Sequence, residues 1–323
     1  MIDVISIEDI RAAQRRISHS VLRTPLVPFN MIDTPAQIYL KLENLQPIGS
    51  FKLRGAGNAM SLAEEECLAN GVYTASMGNM AQGVAWNAKR LGIPCSIVVP
   101  DNAPEAKLKA ISRLRGEIIR VSFEEWWQVL MTGKYEGIPG HFIHPVCDRD
   151  VISGHGTIGL EILEDLPDVD AVVVPFGGGA LSSGIASAIK ALKPETKIYA
   201  CEVETAAPLH LSFKEGKPCE VDYVRSFVEG IGGKSVLPEM WPLVSKLLDG
   251  SLVMSLEKIA EAIRMLIEYN SVVAEGAGAA PVAAALAGKA GSGKVVCVIS
   301  GGNIDADKLA TILNGQVPTV KVD

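Results

Sequence analysis

The sequence predicts an α/β protein built on open, twisted, mostly parallel sheet with helices on both faces. Three observations carry that expectation. Short apolar runs, such as 95–99, 171–175 and 295–300, alternate with amphipathic stretches of helical spacing. The runs are apolar at nearly every position rather than every second one, as in strands buried on both faces. Three runs lead into glycine-bearing turns, at 76–80, 177–180 and 300–303. In open sheets that edge is where ligands sit.

In chain order, 6–18 carries Ile7, Ile10, Ala13 and Ile17 at helical spacing, with acids early and arginines late, which suits a helix dipole. Arg23-Thr24-Pro25-Leu26 ends that pattern, and 38–42 reads as a strand entering a turn at Lys52. Strands follow at 71–76, 95–99 and 117–121, with helices at 81–91, at 104–114 and through Trp126 and Trp127. Further on, a strand at 171–175, a helix at 182–192, a strand at 197–201, a helix near 256–269 and a strand at 295–300 complete the alternation.

Composition excludes several classes of function. The 323 residues are 48% apolar with a net charge of −7, and no basic tract offers a footing for nucleic acid or an anionic membrane. Six scattered cysteines without a C-x-x-C pair read as free thiols of a reducing cytoplasm. The first ten residues contain acids and lack an apolar core, unlike a signal peptide. The most apolar stretch, 272–288, is interrupted by Glu275, Pro281 and several glycines, so it is not expected to span a membrane.

Several motifs are decoys. Residues 288–294 imitate a nucleotide P-loop, but Val295 replaces its magnesium-binding hydroxyl and the segment precedes a strand instead of following one. The glycines after 171–175, with Glu202 ending the next strand, imitate a dinucleotide fingerprint that lacks its third glycine at Ser182. His141 and His144 have no third ligand at metal spacing. Trp126-Trp127 is expected to divide between core and interface.

The chemistry lies elsewhere. Lys52 stands in Ser50-Phe51-Lys52-Leu53-Arg54-Gly55-Ala56, and Gly177-Gly178-Gly179-Ala180 can wrap an anion with backbone N–H groups. An amine and a phosphate cradle together point to a phosphorylated aldehyde held through the amine, namely pyridoxal 5′-phosphate. With the Gly78-Asn79 turn, Glu275-Gly276-Ala277-Gly278-Ala279 and Ser300-Gly301-Gly302-Asn303, these make five motifs in order. Together they resemble the fold-type-II pyridoxal-phosphate enzymes, specifically the serine/threonine dehydratase and serine racemase group. The likeness runs from about Thr24 to Asn303.

That resemblance implies two mostly parallel sheets arranged as in the tryptophan synthase β-subunit. Residues 1–70 and 146–323 would form a large cofactor-binding domain and 71–145 a small one, with no C-terminal regulatory domain and a homodimeric assembly. It implies that Lys52 holds the cofactor covalently, that Phe51 lies against its ring and that Asn79 bonds its 3′-oxygen. Gly177, Gly178, Gly179 and Ala180 would take the phosphate, while Glu275 and Ser300 would sit beside the ring and at its nitrogen. Ser76, Met77, Gly78, Asn79 and Met80 would receive the carboxylate of an amino-acid substrate.

A hydroxyl at Ser300 cannot keep the ring nitrogen charged as a carboxylate would, which favours β-elimination. The implied activity is therefore dehydration of a β-hydroxy amino acid (threonine, serine or a phenylserine-like compound) to a 2-oxo acid and ammonia. A serine-type racemase is the alternative, but Met77 replaces the serine that serves racemases of this group as second acid/base. A β-replacement enzyme and a non-catalytic binding protein fit less well. Met80 stands where a histidine is common. Glu202 and Ala206 match a divalent-metal site of some members, but Pro208 replaces its second carboxylate, leaving a monovalent cation open. His155 takes a place usually held by glutamine and is given no catalytic role.

Overall fold

The computed structural model describes residues 2–320. Among them, ten strands run in chain order: β1 (Leu26–Pro28), β2 (Gln37–Lys41), β3 (Val72–Ala75), β4 (Cys95–Pro100), β5 (Glu117–Val121), β6 (His141–Phe142), β7 (Ala171–Pro175), β8 (Lys197–Val203), β9 (Gly250–Met254) and β10 (Lys294–Val298). They form a six-stranded sheet of order β1-β2-β10-β7-β8-β9 and a four-stranded sheet of order β5-β4-β3-β6. Every pairing is parallel except the antiparallel edge pair β1–β2.

The apolar runs have the expected cause. In β7, Ala171 and Val173 face one hydrophobic cluster while Val172 and Val174 face another on the opposite side. β10 does the same with Val295 and Cys297 against Val296 and Val298. Both faces are covered by helices, Gly276–Leu286 on one side and Ala180–Leu192 on the other. The four-stranded sheet is likewise buried on both faces. All six cysteines are free thiols. Among the described residues, no helix is long and apolar enough to cross a membrane.

The structure corrects the reading of Lys52 as part of a turn. Lys52 is the first residue of an eleven-residue helix, Lys52–Leu62. Its glycines serve close approach rather than a change of direction. A Cβ on Gly55 would lie 2.4 Å from the His155 ring. A Cβ on Gly154, in the facing helix Arg149–Asp165, would lie 2.6 Å from the Arg54 carbonyl.

That facing helix, absent from the sequence expectation, is hidden by its own glycines at 154, 156 and 159. Glycine lowers helix propensity by roughly 1 kcal/mol per residue, and tertiary packing overrides it. Backbone from neighbouring helices occupies the space a side chain would take: a Cβ on Gly159 would meet the Ile185 carbonyl at 2.8 Å. Gly276–Leu286 also forms despite Pro281 in its interior. Strand β9 was unexpected too, being a half-exposed edge without a continuous apolar run. The P-loop imitation lies in the turns that lead into β10.

Candidate active site

The C-terminal edges of the two sheets face one cavity of about 500 Å³. β2 is followed by a short turn of 3-10 helix, Glu43–Leu45, and then by the loop into Lys52–Leu62. That loop is stitched to the exit of β10. The Phe51 N–H donates to the Ser300 carbonyl at 2.9 Å, and the Gly302 N–H donates to the Gly49 carbonyl at 2.9 Å. The stitch brings Phe51, Lys52 and Ser300 to the same wall.

The Lys52 amine donates to the Pro145 carbonyl at 2.8 Å and has no carboxylate partner among the described residues. Burial pulls its ammonium down from the ordinary lysine range to about 8. A minor share of the amine, on the order of a tenth, is therefore neutral near physiological pH, far more than for an ordinary lysine. It is also 5.2 Å from the centre of the Phe51 ring.

Opposite lies the exit of β7. Gly179 has φ +96°, a backbone conformation that favours glycine, and it opens Ala180–Leu192 without a side-chain cap. The first-turn N–H groups of a helix lack intrahelical acceptors and carry the positive end of its dipole. A Cβ on Gly178 would come within 2.4 Å of Val146, so only glycine fits there. The result is a cradle for one tetrahedral anion.

A second uncapped helix, Asn79–Leu91, begins at the exit of β3 with Gly78 as its N-cap. Its first residue links two side chains from other elements. Asn303 Nδ2 donates to Asn79 Oδ1 at 2.8 Å, and Asn79 Nδ2 donates to Glu275 Oε1 at 2.9 Å. Burial pushes the Glu275 carboxyl up to about 7, with the Asn79 amide working the other way. Ser76, Met77, Gly78 and Met80 line the same cavity, as do Gly177, Gly178, Gly179, Ala180, Glu275 and Ser300. Met80 is only 2% exposed and is chiefly a core residue.

The raised carboxyl makes a pH-dependent prediction. Between its unfolded value near 4.5 and its folded value about 7, the folded state of Glu275 binds more protons than the unfolded state. Stability from this group is therefore lost as pH rises through that window. Glu275→Gln keeps the acceptor for Asn79 and removes the titration. In the cofactor-free protein, its melting temperature should exceed wild type by more at about pH 8 than at about pH 5. Equal differences at both values would contradict the assignment.

Other predicted groups lie apart from the cavity or serve packing. Glu202 is buried and accepts from the Leu209 and His210 N–H groups at 2.9 and 2.7 Å and from the Ser251 hydroxyl. Its carboxylate caps the helix Pro208–Glu215. Ala206 is buried beside it, and no cluster of three metal-ligating side chains occurs among the described residues. His144 Nδ1 accepts from the Val146 and Cys147 N–H groups at 3.0 and 2.9 Å, and burial pulls its pKa down to about 4.

His155 is fully buried with its ring 4.7 Å from that of Phe51, and neither ring nitrogen has a partner. Burial keeps it neutral, well below the ordinary histidine range. An unpaired buried polar group costs about 1–3 kcal/mol. His155→Leu should therefore be neutral or raise the melting temperature; a loss of more than about 2 kcal/mol would show that the nitrogens are satisfied after all.

Sequence reasoning missed three parts of the site. Glu229 reaches from the segment after the helix Pro208–Glu215 to pair with Lys107 on the helix Glu105–Arg113 and with Lys308 at 2.6 Å, bridging elements around the cavity mouth. Phe123, Trp126 and Leu130, on the helix Phe123–Thr132, line another wall. Arg54 anchors the lysine helix from beneath. Its guanidinium reaches Glu43 at 2.8 Å and Glu161 at 2.6 Å, and Lys41 donates to Glu161 at 2.5 Å. Spacing in the chain gave no signal for the Glu229 and Arg54 contacts, which join residues distant in sequence, while Phe123, Trp126 and Leu130 share one helix and nothing local shows that their face meets a cavity.

Two parallel sheets whose exits share a desolvated lysine amine and a glycine-lined anion cradle define a class: enzymes that hold a phosphorylated aldehyde through lysine. The residues present fit that group, since the cradle excludes a Cβ at Gly178 and the amine is already part neutral. Comparison with known proteins agrees. The profile of the family described as pyridoxal-phosphate dependent enzyme matches residues 17–301. The chain belongs to that family, and pyridoxal phosphate is its cofactor.

One curated relative is the L-threonine ammonia-lyase of Thermotoga maritima, 43% identical over 316 residues that cover 96% of this chain and 79% of that protein. Among solved structures, maize serine racemase aligns with a TM-score of 0.87 at 35% identity, covering 97% of this chain and 98% of the other. The processed form of threonine deaminase isoform 2 from Solanum lycopersicum aligns with a TM-score of 0.87 at 33% identity, covering 96% and 92%.

Proposed function

We propose that this chain removes water from L-threonine and related β-hydroxy amino acids, releasing a 2-oxo acid and ammonia. The observation that carries the proposal is the single cavity in which the desolvated Lys52 amine faces the Gly177–Gly178–Gly179 cradle and the uncapped helix at Asn79. The relatives named as threonine ammonia-lyases support the same reaction.

In this reading Lys52 holds the cofactor, Gly177, Gly178, Gly179 and Ala180 bind its phosphate, and Phe51, Asn79, Glu275 and Ser300 surround its ring. Pyridoxal phosphate bound there supplies the electron sink that makes an amino acid's α-hydrogen acidic. The Ser76–Met80 turn receives the substrate carboxylate through N–H groups at the positive end of a helix. Once the substrate's amine had replaced it on the cofactor, the freed Lys52 Nζ would take up the α-proton as general base, a role that suits an amine lowered to about 8. Loss of the α-hydrogen and the β-hydroxyl is loss of one water. The released enamine takes that water back and gives, from threonine, 2-oxobutanoate and ammonia. Met77 lines the cavity without a transferable proton, so a second base for inversion is missing and elimination is favoured over racemisation.

The test is to supply the holoenzyme with L-threonine and L-serine and follow 2-oxo acid. Product is expected from at least one; none from either overturns the reading. A homodimer is the assembly the resemblance implies, and light scattering of the purified protein checks its stoichiometry; the scattered free cysteines are what point to the cytoplasm.

A further inference from the structure

The cavity has two unlike halves. One is the polar half around Lys52 and the glycine cradle. The other is an apolar wall made by Met77, at the exit of β3, and by Phe123, Trp126 and Leu130 on one helix. Trp126 and Leu130 pack on the small sheet's cluster, which holds that wall in place. Phe123 stands 5.6 Å from Trp126, centre to centre, and is 54% exposed at the cavity edge. A large aromatic left half-uncovered at a cavity rim has apolar surface to bury.

The Trp126 indole adds a second observation. Its Nε1 is inaccessible to solvent and has no acceptor among the described residues. That N–H is therefore closed off from the cavity, and the indole presents a ligand with apolar ring surface alone, which suits an aryl ring stacked or set edge-on against it.

The wall also lies on the correct side of the site. Met77 belongs to the turn that receives the substrate carboxylate, so a group on the β-carbon has Met77 and Trp126 as neighbours. The flexible thioether of Met77 adapts to a ring's shape.

We propose that this site takes β-arylserines, amino acids carrying an aromatic ring on the hydroxyl-bearing β-carbon, with Trp126 and Leu130 as the residues that set this preference. The inference rests on the dehydratase reading above and names the substrate class for the same site. The step balances as before: β-phenylserine loses its α-hydrogen and β-hydroxyl as water, and hydrolysis of the released enamine gives phenylpyruvate and ammonia.

The experiment compares kcat/KM of the holoenzyme for L-serine, L-threonine and β-phenylserine, in wild type and in Trp126→Ala. Wild type should use β-phenylserine at least about tenfold better than serine, the discrimination an apolar pocket gives one added hydrophobic group. Trp126→Ala should lower that ratio by about tenfold or more. Leu130→Ala, a smaller excision, should move the ratio in the same direction and serves if Trp126→Ala fails to fold. A further readout is quenching of tryptophan fluorescence by L-phenylalanine, which lacks the leaving hydroxyl, in wild type but not in the Leu130→Ala protein at equal concentration. Turnover of threonine with β-phenylserine no better than serine, or with a ratio untouched by both variants, overturns the proposal and leaves the dehydratase reading standing. No turnover of any of the three removes both.

Discussion

Lys52→Ala is expected to lower 2-oxo acid formation from L-threonine by about 10³-fold, within the usual range for loss of a general base. The loss should appear in kcat, because the cradle at Gly177–Ala180 and the turn at Ser76–Met80 remain to bind cofactor and substrate. Borohydride treatment followed by peptide mass analysis should place a pyridoxyl group on Lys52 in wild type and on no peptide of the variant. Stability should move the opposite way. The folded amine has its pKa lowered to about 8, so the folded state binds fewer protons than the unfolded state between about 8 and its ordinary 10.5. Below that window the buried site disfavours the charged amine, and alanine removes the conflict. A variant that keeps more than about a tenth of wild-type turnover would falsify the assignment of Lys52 as the base.

Arg54→Ala should produce the largest loss of stability of any single change considered. Arg54 is 1% exposed, Glu43 and Lys41 around it are fully buried, and Glu161 is 3% exposed. The four charges cancel: two cations, Lys41 and Arg54, face two anions, Glu43 and Glu161. Burial works against the charge on Glu43, and the Arg54 guanidinium overcomes it to hold the carboxyl below its ordinary range. Both Arg54 Nε and Nη2 donate to Glu43 at 2.8 Å, so the pair is bidentate. Removing Arg54 leaves a net negative charge in a dry site, at a cost of about 3–5 kcal/mol. Arg54→Lys should recover little of it, because an ammonium cannot reproduce the fork to two carboxylates. Chemical denaturation of the three proteins measures both effects. A loss under about 1 kcal/mol for Arg54→Ala would mean that water reaches the cluster.

The network also shows how the lysine is positioned. Arg54 sits two residues past Lys52 and clamps the helix start between Glu43, just after β2, and Glu161 on Arg149–Asp165. Thr157 and the Leu22 carbonyl complete its contacts at 3.0 and 3.1 Å. Weakening the clamp should therefore affect catalysis as well as folding.

Much of the architecture was legible without coordinates. The strands at 95–99, 171–175 and 295–300 were readable because burial on both faces demands nearly unbroken apolar runs, a local property. The glycine turns at their exits were readable for a similar reason, since backbone approach to an anion demands residues without side chains. The helix Arg149–Asp165 was not readable. Its glycines weaken the local helical signal, and they are there because the backbones of Lys52–Leu62 and Ala180–Leu192 come close. Pro281 shows the same override, since the helix Gly276–Leu286 forms around it by packing against the large sheet.

By itself, then, the sequence determined which chemistry is on hand: one lysine in a distinctive setting, an oligoglycine anion site, and the alternation that sends strand ends to a common edge. Tertiary structure alone decided that Lys52 loses water and with it much of its affinity for a proton, that Glu275 holds its proton more tightly than an ordinary carboxyl, that Arg54 is locked between two distant carboxylates, and that Trp126 lines the cavity. The physical reason is that solvation and ion pairing depend on neighbours brought together by folding, whereas strand and turn patterns are written in consecutive residues.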